Sequence, residues 1–114
     1  MRIYLICSVR GATRDDCAVA EDYVRGLEQD GHVVHFPPRD VDQTDDGCGL
    51  KICEAHRAAL ALADEVHVLW NPRSIGSHFD LGMAFALRKP IKLANKPDRT
   101  TGKSYTNVLL EISR

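Results

Sequence analysis

Short apolar runs without alternation, separated by stretches of helical periodicity, constrain this chain more than any other feature. Ile3–Cys7 is an unbroken β-branched and apolar run closed by Ser8-Val9-Arg10-Gly11, the pattern of a strand buried on both faces, as a parallel sheet requires. From Thr13 onward, Ala18, Val19, Tyr23 and Leu27 recur at helical spacing until Asp30-Gly31, where glycine ends a helix. His32–Phe36 reads as a second strand stopped by Pro37-Pro38, and Leu50–Ala63 as a second helix. Glu65–Trp70 is a third strand, Ser77–Leu87 a helix apolar almost all round, and Ile91–Ala94 a fourth strand after Pro90. Tyr105–Ile112 fits a last helix better than a fifth strand. Strand and helix alternate throughout, which implies right-handed crossovers and a sheet covered on both faces. The expected fold is α/β: a single flavodoxin-like (Rossmann-like) three-layer domain over residues 1–114 with a four- to five-stranded parallel sheet.

Composition narrows the function classes. A chain of 114 residues buries roughly two thirds of its unfolded surface and needs no disulfide or structural metal to fold. The 15 Lys and Arg against 16 Asp and Glu leave no basic footprint for duplex nucleic acid, so a small molecule is the expected partner. No apolar run approaches the ~20 residues of a membrane span, and the stretch from Met1 ends at Ser8 and Arg10, too short for a signal peptide. The expected location is the cytoplasm. Cys7, Cys17, Cys48 and Cys53 lack C-x-x-C spacing and read as reduced thiols. His32, His35, His67 and His78 show no ligand spacing, and no metal is expected. Arg39–Gly49 is acidic and poor in apolar residues, a mobile loop and candidate lid; its Asp40, Asp42, Asp45 and Asp46 lack the terminal Glu of a calcium loop.

In an open parallel sheet, ligands bind outside the carboxyl ends of the strands where the strand order reverses. For a flavodoxin-like order that crevice lies between strands one and three, and the segments leaving those ends are 7–13 and 70–77, both rich in hydroxyl, guanidinium and glycine. The first offers Ser8, Arg10, Gly11 and a helix N-terminus, the parts of an anion site. Asp15 and Asp16 oppose that reading, and the same residues also suit an ordinary turn with Thr13 as N-cap. The second presents Ser77-His78-Phe79-Asp80, which fits a capping box with Ser77 as N-cap, and equally a carboxylate placed as nucleophile or general base. Tyr4 is a core residue or a ligand contact, and Trp70 a rim residue or a platform for a base.

Three stretches together carry a family likeness. Ile3-Tyr4-Leu5-Ile6-Cys7-Ser8-Val9-Arg10-Gly11, then Ala63-Asp64-Glu65-Val66 followed by Gly76-Ser77-His78-Phe79-Asp80-Leu81-Gly82-Met83-Ala84, then Lys89-Pro90-Ile91, resemble the nucleoside 2-deoxyribosyltransferase superfamily. Within it, the likeness is to the 2′-deoxynucleoside 5′-phosphate N-hydrolases. The resemblance implies an enzyme that cleaves the N-glycosidic bond of a nucleoside or nucleotide through a carboxylate nucleophile, without a cofactor. Asp80 stands where the family has its nucleophilic glutamate, one methylene shorter, and a misplacement on the order of 1 Å costs about a hundredfold in rate. His56 stands where the family usually has an aspartate; it reads as a buried, hydrogen-bonded histidine, or as the imidazole of a pair with Asp80 that orients the sugar or carries protons. Asp64 would be a sugar-side or supporting residue, and Ser8, Arg10, Gly11, Gly76 and Ser77 would surround the phosphate or hydroxymethyl end, beside Tyr4. The resemblance also implies a homodimer or larger assembly, with Thr106 and Asn107 lending a residue to a neighbouring pocket. A non-catalytic nucleotide-binding or sensing module is the alternative. A flavin or dinucleotide protein is a third, suggested by the sheet alone and lacking G-x-G-x-x-G after strand one.

Overall fold

The structure, a computed structural model, describes residues 1–44 and 47–114. Its elements are β1 (Arg2–Ile6), α1 (Arg14–Gln29), β2 (Val33–His35), α2 (Pro37–Asp40), α3 (Leu50–Leu62), β3 (Glu65–Val68), α4 (Ile75–Ala86), β4 (Ile91–Leu93) and α5 (Tyr105–Ile112). The four strands are ordered β2-β1-β3-β4 and all pair in parallel. The order reverses between β1 and β3, which makes their carboxyl ends the switch point of a flavodoxin-like sheet. Tyr105–Ile112 forms a helix, and the described residues contain no fifth strand.

Alternation along the strands sorts the core into two layers. Tyr4, Ile6, Val66, Val68 and Ile91 pack with Leu60 of α3, Leu81 and Ala84 of α4 and Leu109 of α5. Leu5, Cys7 and Val34 pack on the other face against Ala20 and Val24 of α1. Helix α1 is also held by polar contacts, because the Tyr23 hydroxyl lies 2.6 Å from Nδ1 of His67 and Nε2 of that ring lies 2.7 Å from Glu65. Thr13 caps α1 as a capping box with Asp16, as the ordinary-turn reading of that segment has it.

Around Pro37 the chain differs from the sequence expectation. Pro37 does not only end β2; it starts α2, a position where its missing N–H and fixed φ suit a first helical turn. The start of the expected loop is therefore helical, and Arg39 ties it down by hydrogen bonds to Glu28, Asp40 and the Val34 carbonyl. Of the acidic cluster in that loop, Asp40 accepts from the Phe36 amide and Asp42 from Thr44, while Asp45 and Asp46 lie outside the described residues. The Lys89-Pro90 pair has a structural use as well, since Lys89 Nζ donates to the Ala61 and Ala63 carbonyls at 2.9 Å each and closes the end of α3. All four cysteines are free, and no described helix is long and apolar enough to cross a membrane.

Candidate active site

Helix α4 begins at Ile75 and not at Ser77, because Ser74 is its N-cap: the Ser77 amide donates to Ser74 Oγ. Ser77-x-x-Asp80 has the acidic fourth residue of a capping box and Ser74-x-x-Ser77 does not, yet the structure selects Ser74 as the cap. Asp80 thereby moves into the second turn of the helix and onto its buried face, 6% exposed. Its role is not capping. Tyr4 Oη donates to Oδ2 at 2.9 Å, and His56 Nδ1 lies 3.1 Å from Oδ1. A carboxylate offers about four acceptor positions, so two donors fix its plane and leave each oxygen a free lone pair.

His56 reaches this place from the core-facing side of α3, where it and Leu60 are the buried residues. With Asp80 as acceptor, the network assigns the hydrogen to Nδ1. The other nitrogen, Nε2, is buried and has no hydrogen-bond partner, a state that costs free energy until a ligand or water group meets it. Around the pair, burial first and the neighbouring Asp80 charge second push the Tyr4 phenol well above its ordinary pKa. The same two causes push the Cys7 thiol up to about 12. Both groups stay protonated at neutral pH, so Tyr4 is a donor to the carboxylate and Cys7 is no nucleophile.

Above this cluster the two strand-end loops meet. Asn71 Nδ2 donates to Ser8 Oγ at 3.2 Å, joining the β1 and β3 ends across the switch point. Gly11 has φ +76° in the turn closed by the Ala12 amide on the Val9 carbonyl, a conformation in which a side chain is strained. Arg10 is exposed beside it and, among the described residues, has no hydrogen-bond or ion-pair partner. Gly76 lies exposed in the first turn of α4, while Ser77 is 1% exposed and shares a 2.8 Å hydrogen bond with Ser74 Oγ. Trp70 is held by Asn95 at both its amide and its carbonyl, and its indole N–H donates to Thr106 Oγ1.

Three candidates stand apart from this group. Asp64 sits at the amino edge of the sheet, where its carboxylate accepts the Arg2 amide at 2.7 Å, the end opposite the switch point. Thr106 is buried under the Trp70 indole, and Asn107 spends its amide on Thr100 and Gly102. Neither turns a free polar group towards a neighbour. The exposed residue at this point is Tyr105, whose ring meets His78 edge-on, with His78 in turn against Trp70. Asn71, Ser74, Asn95 and His35 were not anticipated; the Asn-Pro turn signal at 71–72 points to the first, and no local pattern marks the others. Among the described residues, no group of three or more His, Cys, Asp or Glu side chains is placed to hold a metal.

No protein-family model matches the chain, and no curated protein does. Solved structures do resemble it. A 2-deoxyribosyltransferase from Bacillus psychrosaccharolyticus superposes with a TM-score of 0.74 at 16% identity, covering 96% of this chain and 90% of that one. The Clostridium botulinum CMP N-glycosidase BcmB superposes with a TM-score of 0.59 at 22% identity, covering 82% of this chain and 67% of that one. The chain has the α/β fold of the 2-deoxyribosyltransferase.

Proposed function

We propose that the protein is an N-glycosidase or deoxyribosyltransferase acting on a nucleoside or nucleotide, with Asp80 as its nucleophile. One observation carries the reading: a buried carboxylate, held at both oxygens by Tyr4 and His56, stands at the switch point of the sheet. Fixing the carboxylate in advance lowers the entropic barrier to attack, provided the anomeric carbon comes within about 3–3.5 Å. An Asp80 oxygen forms a bond to that carbon while the C–N bond breaks, and the base leaves with the bonding pair and takes up one proton. Water then attacks the same carbon, releases the carboxylate and gives one proton back; a second base in place of water gives transfer. His56 Nε2 is the acceptor for a sugar hydroxyl, and Ser8, Arg10, Gly11 and the first turn of α4 receive a 5′-phosphate.

Homodimerisation belongs to this reading. Helix α4 exposes Ile75 (86%) and Phe79 (56%) one turn apart, and α5 exposes Tyr105 (67%), large apolar side chains of the kind that subunit interfaces cover. The decisive experiment incubates the chain with a panel of nucleosides and their 5′-monophosphates and follows free base by chromatography, with Asp80→Asn as control. Base release that is lost in Asp80→Asn is expected. Tight binding of a nucleotide without base release by the wild-type chain would overturn the enzyme reading in favour of a nucleotide-binding module.

A further inference from the structure

Tyr4 and His35 are direct partners in the β1–β2 ladder, and their rings stack with centroids 5.1 Å apart and planes 17° from parallel. The same phenol meets His56 edge-on at 6.1 Å and donates to Asp80. Its ring is therefore pinned from one face by an imidazole while its hydroxyl holds the carboxylate. Hydrogen bonds weaken steeply as the angle closes, so a tilt of the phenol is felt at Asp80. We infer that His35 is a positioning residue for Asp80: as a neutral ring stacked on Tyr4 it keeps the phenol on the carboxylate, and its protonation loosens that hold.

The surroundings of His35 supply the reason. Its Nε2 is buried without a partner, so a proton placed there becomes a buried donor with no acceptor, which drives the ring out of the stack. Charged groups surround it: Arg2 of β1, Glu28 of α1 and Arg39 and Asp40 of α2 line the same cavity. Asp40 of α2 and Asp80 of α4 favour the charged ring, Arg39 of α2 and His56 of α3 oppose it, and burial outweighs them, holding the imidazole below its ordinary pKa. His35 also borders a cavity of about 400 Å³ with Arg39 and Asp40, which gives it room to swing and a path for protons.

Two readouts test this, and only the first rests on the glycosidase reading. In base release, His35→Ala is expected to lower kcat about tenfold with KM within about twofold. His35→Phe, which keeps the stack without a titrating group, is expected to retain kcat above neutral pH and to lose the acid-side decline of the wild type. The second readout needs no substrate: with ¹³C-labelled tyrosine rings, and Tyr4 assigned through Tyr4→Phe, the Tyr4 resonance should move in the wild type only once pH is below the ordinary histidine value of ~6.5, because burial holds His35 low, and should stay still in His35→Phe. Wild-type kcat in His35→Ala, or a wild-type Tyr4 resonance indifferent to pH, overturns the inference. If the wild-type chain releases no base from any panel member, the glycosidase reading falls, and the tyrosine resonance alone decides the role of His35.

Discussion

The Tyr4 hydroxyl, in the centre of the sheet, donates to Oδ2 of Asp80 across 2.9 Å and joins residues 76 positions apart. This bond ties the orientation of α4 to the central strand. It also means that Asp80 is at once a structural acceptor and the candidate nucleophile, and substitutions there report on both roles.

Asp80→Asn replaces one acceptor oxygen by an NH₂ group, so either Tyr4 or His56 loses its acceptor. We expect a stability loss of about 1–3 kcal/mol, the cost of a buried polar group left unpaired, with the fold retained and base release abolished. Tyr4→Phe should cost a similar ~1–3 kcal/mol but leave measurable activity, because His56 still holds the carboxylate. Urea unfolding beside base-release rates checks both. Unimpaired activity in Asp80→Asn would show that the carboxylate is structural only.

Arg10 is the free guanidinium of the β1 loop, so Arg10→Ala should weaken monophosphate binding by about 1.5–3 kcal/mol, the worth of a hydrogen bond to a charged group. Nucleoside binding should change little. Calorimetry with both ligands decides, and equal losses for the two would remove Arg10 from the phosphate site.

Stability should fall on acidification in two stages. Burial holds His35 below its ordinary pKa, so below ~6.5 the unfolded chain binds more protons than the fold and stability declines as pH falls. Hydrogen bonds from Arg39 hold Asp40 low, and those from His67 and then Lys92 hold Glu65 low. Their contribution is complete above the ordinary carboxylate range and is lost as pH falls through about 4 and below. Denaturant midpoints along a pH series should show the first stage flattened in His35→Phe and the second unchanged. A first stage of equal size in both proteins would assign it to another group.

Phe79 lies on the outward face of α4 with Ile75. Phe79→Glu should convert a dimer to a monomer while leaving the fold intact, since the ring is not part of the core. Light scattering at tens of micromolar, checked by circular dichroism, reads this. A wild-type chain that is already monomeric there would refute the dimer.

The order and kind of the elements were legible in the sequence, because strands buried on both faces need unbroken apolar runs and helices need a 3.6-residue repeat, and both are local properties. The switch point follows from that alternation, so the sequence points to the loops at 7–13 and 70–77, which the structure joins through Asn71 and Ser8. Local pattern failed at the start of α4: it favours Ser77 as the cap through Asp80, whereas Ser74 caps the helix and Asp80 is buried against Tyr4 and His56. Asp64 next to β3 carried the right chemistry and the wrong end of the strand, since its carboxylate belongs to the Arg2 amide at the amino edge. Ser77, Thr106 and Asn107 matched by position, yet Ser77 and Thr106 are buried and Asn107 is engaged with Thr100 and Gly102 of its own chain. His35 showed no signal at all, because its meaning comes from lying opposite Tyr4 in the β1–β2 ladder. Strand order and register arise from which faces the whole chain manages to bury together. A residue's neighbours across the sheet are therefore a property of the fold, while its place in a strand or helix is already a property of the chain.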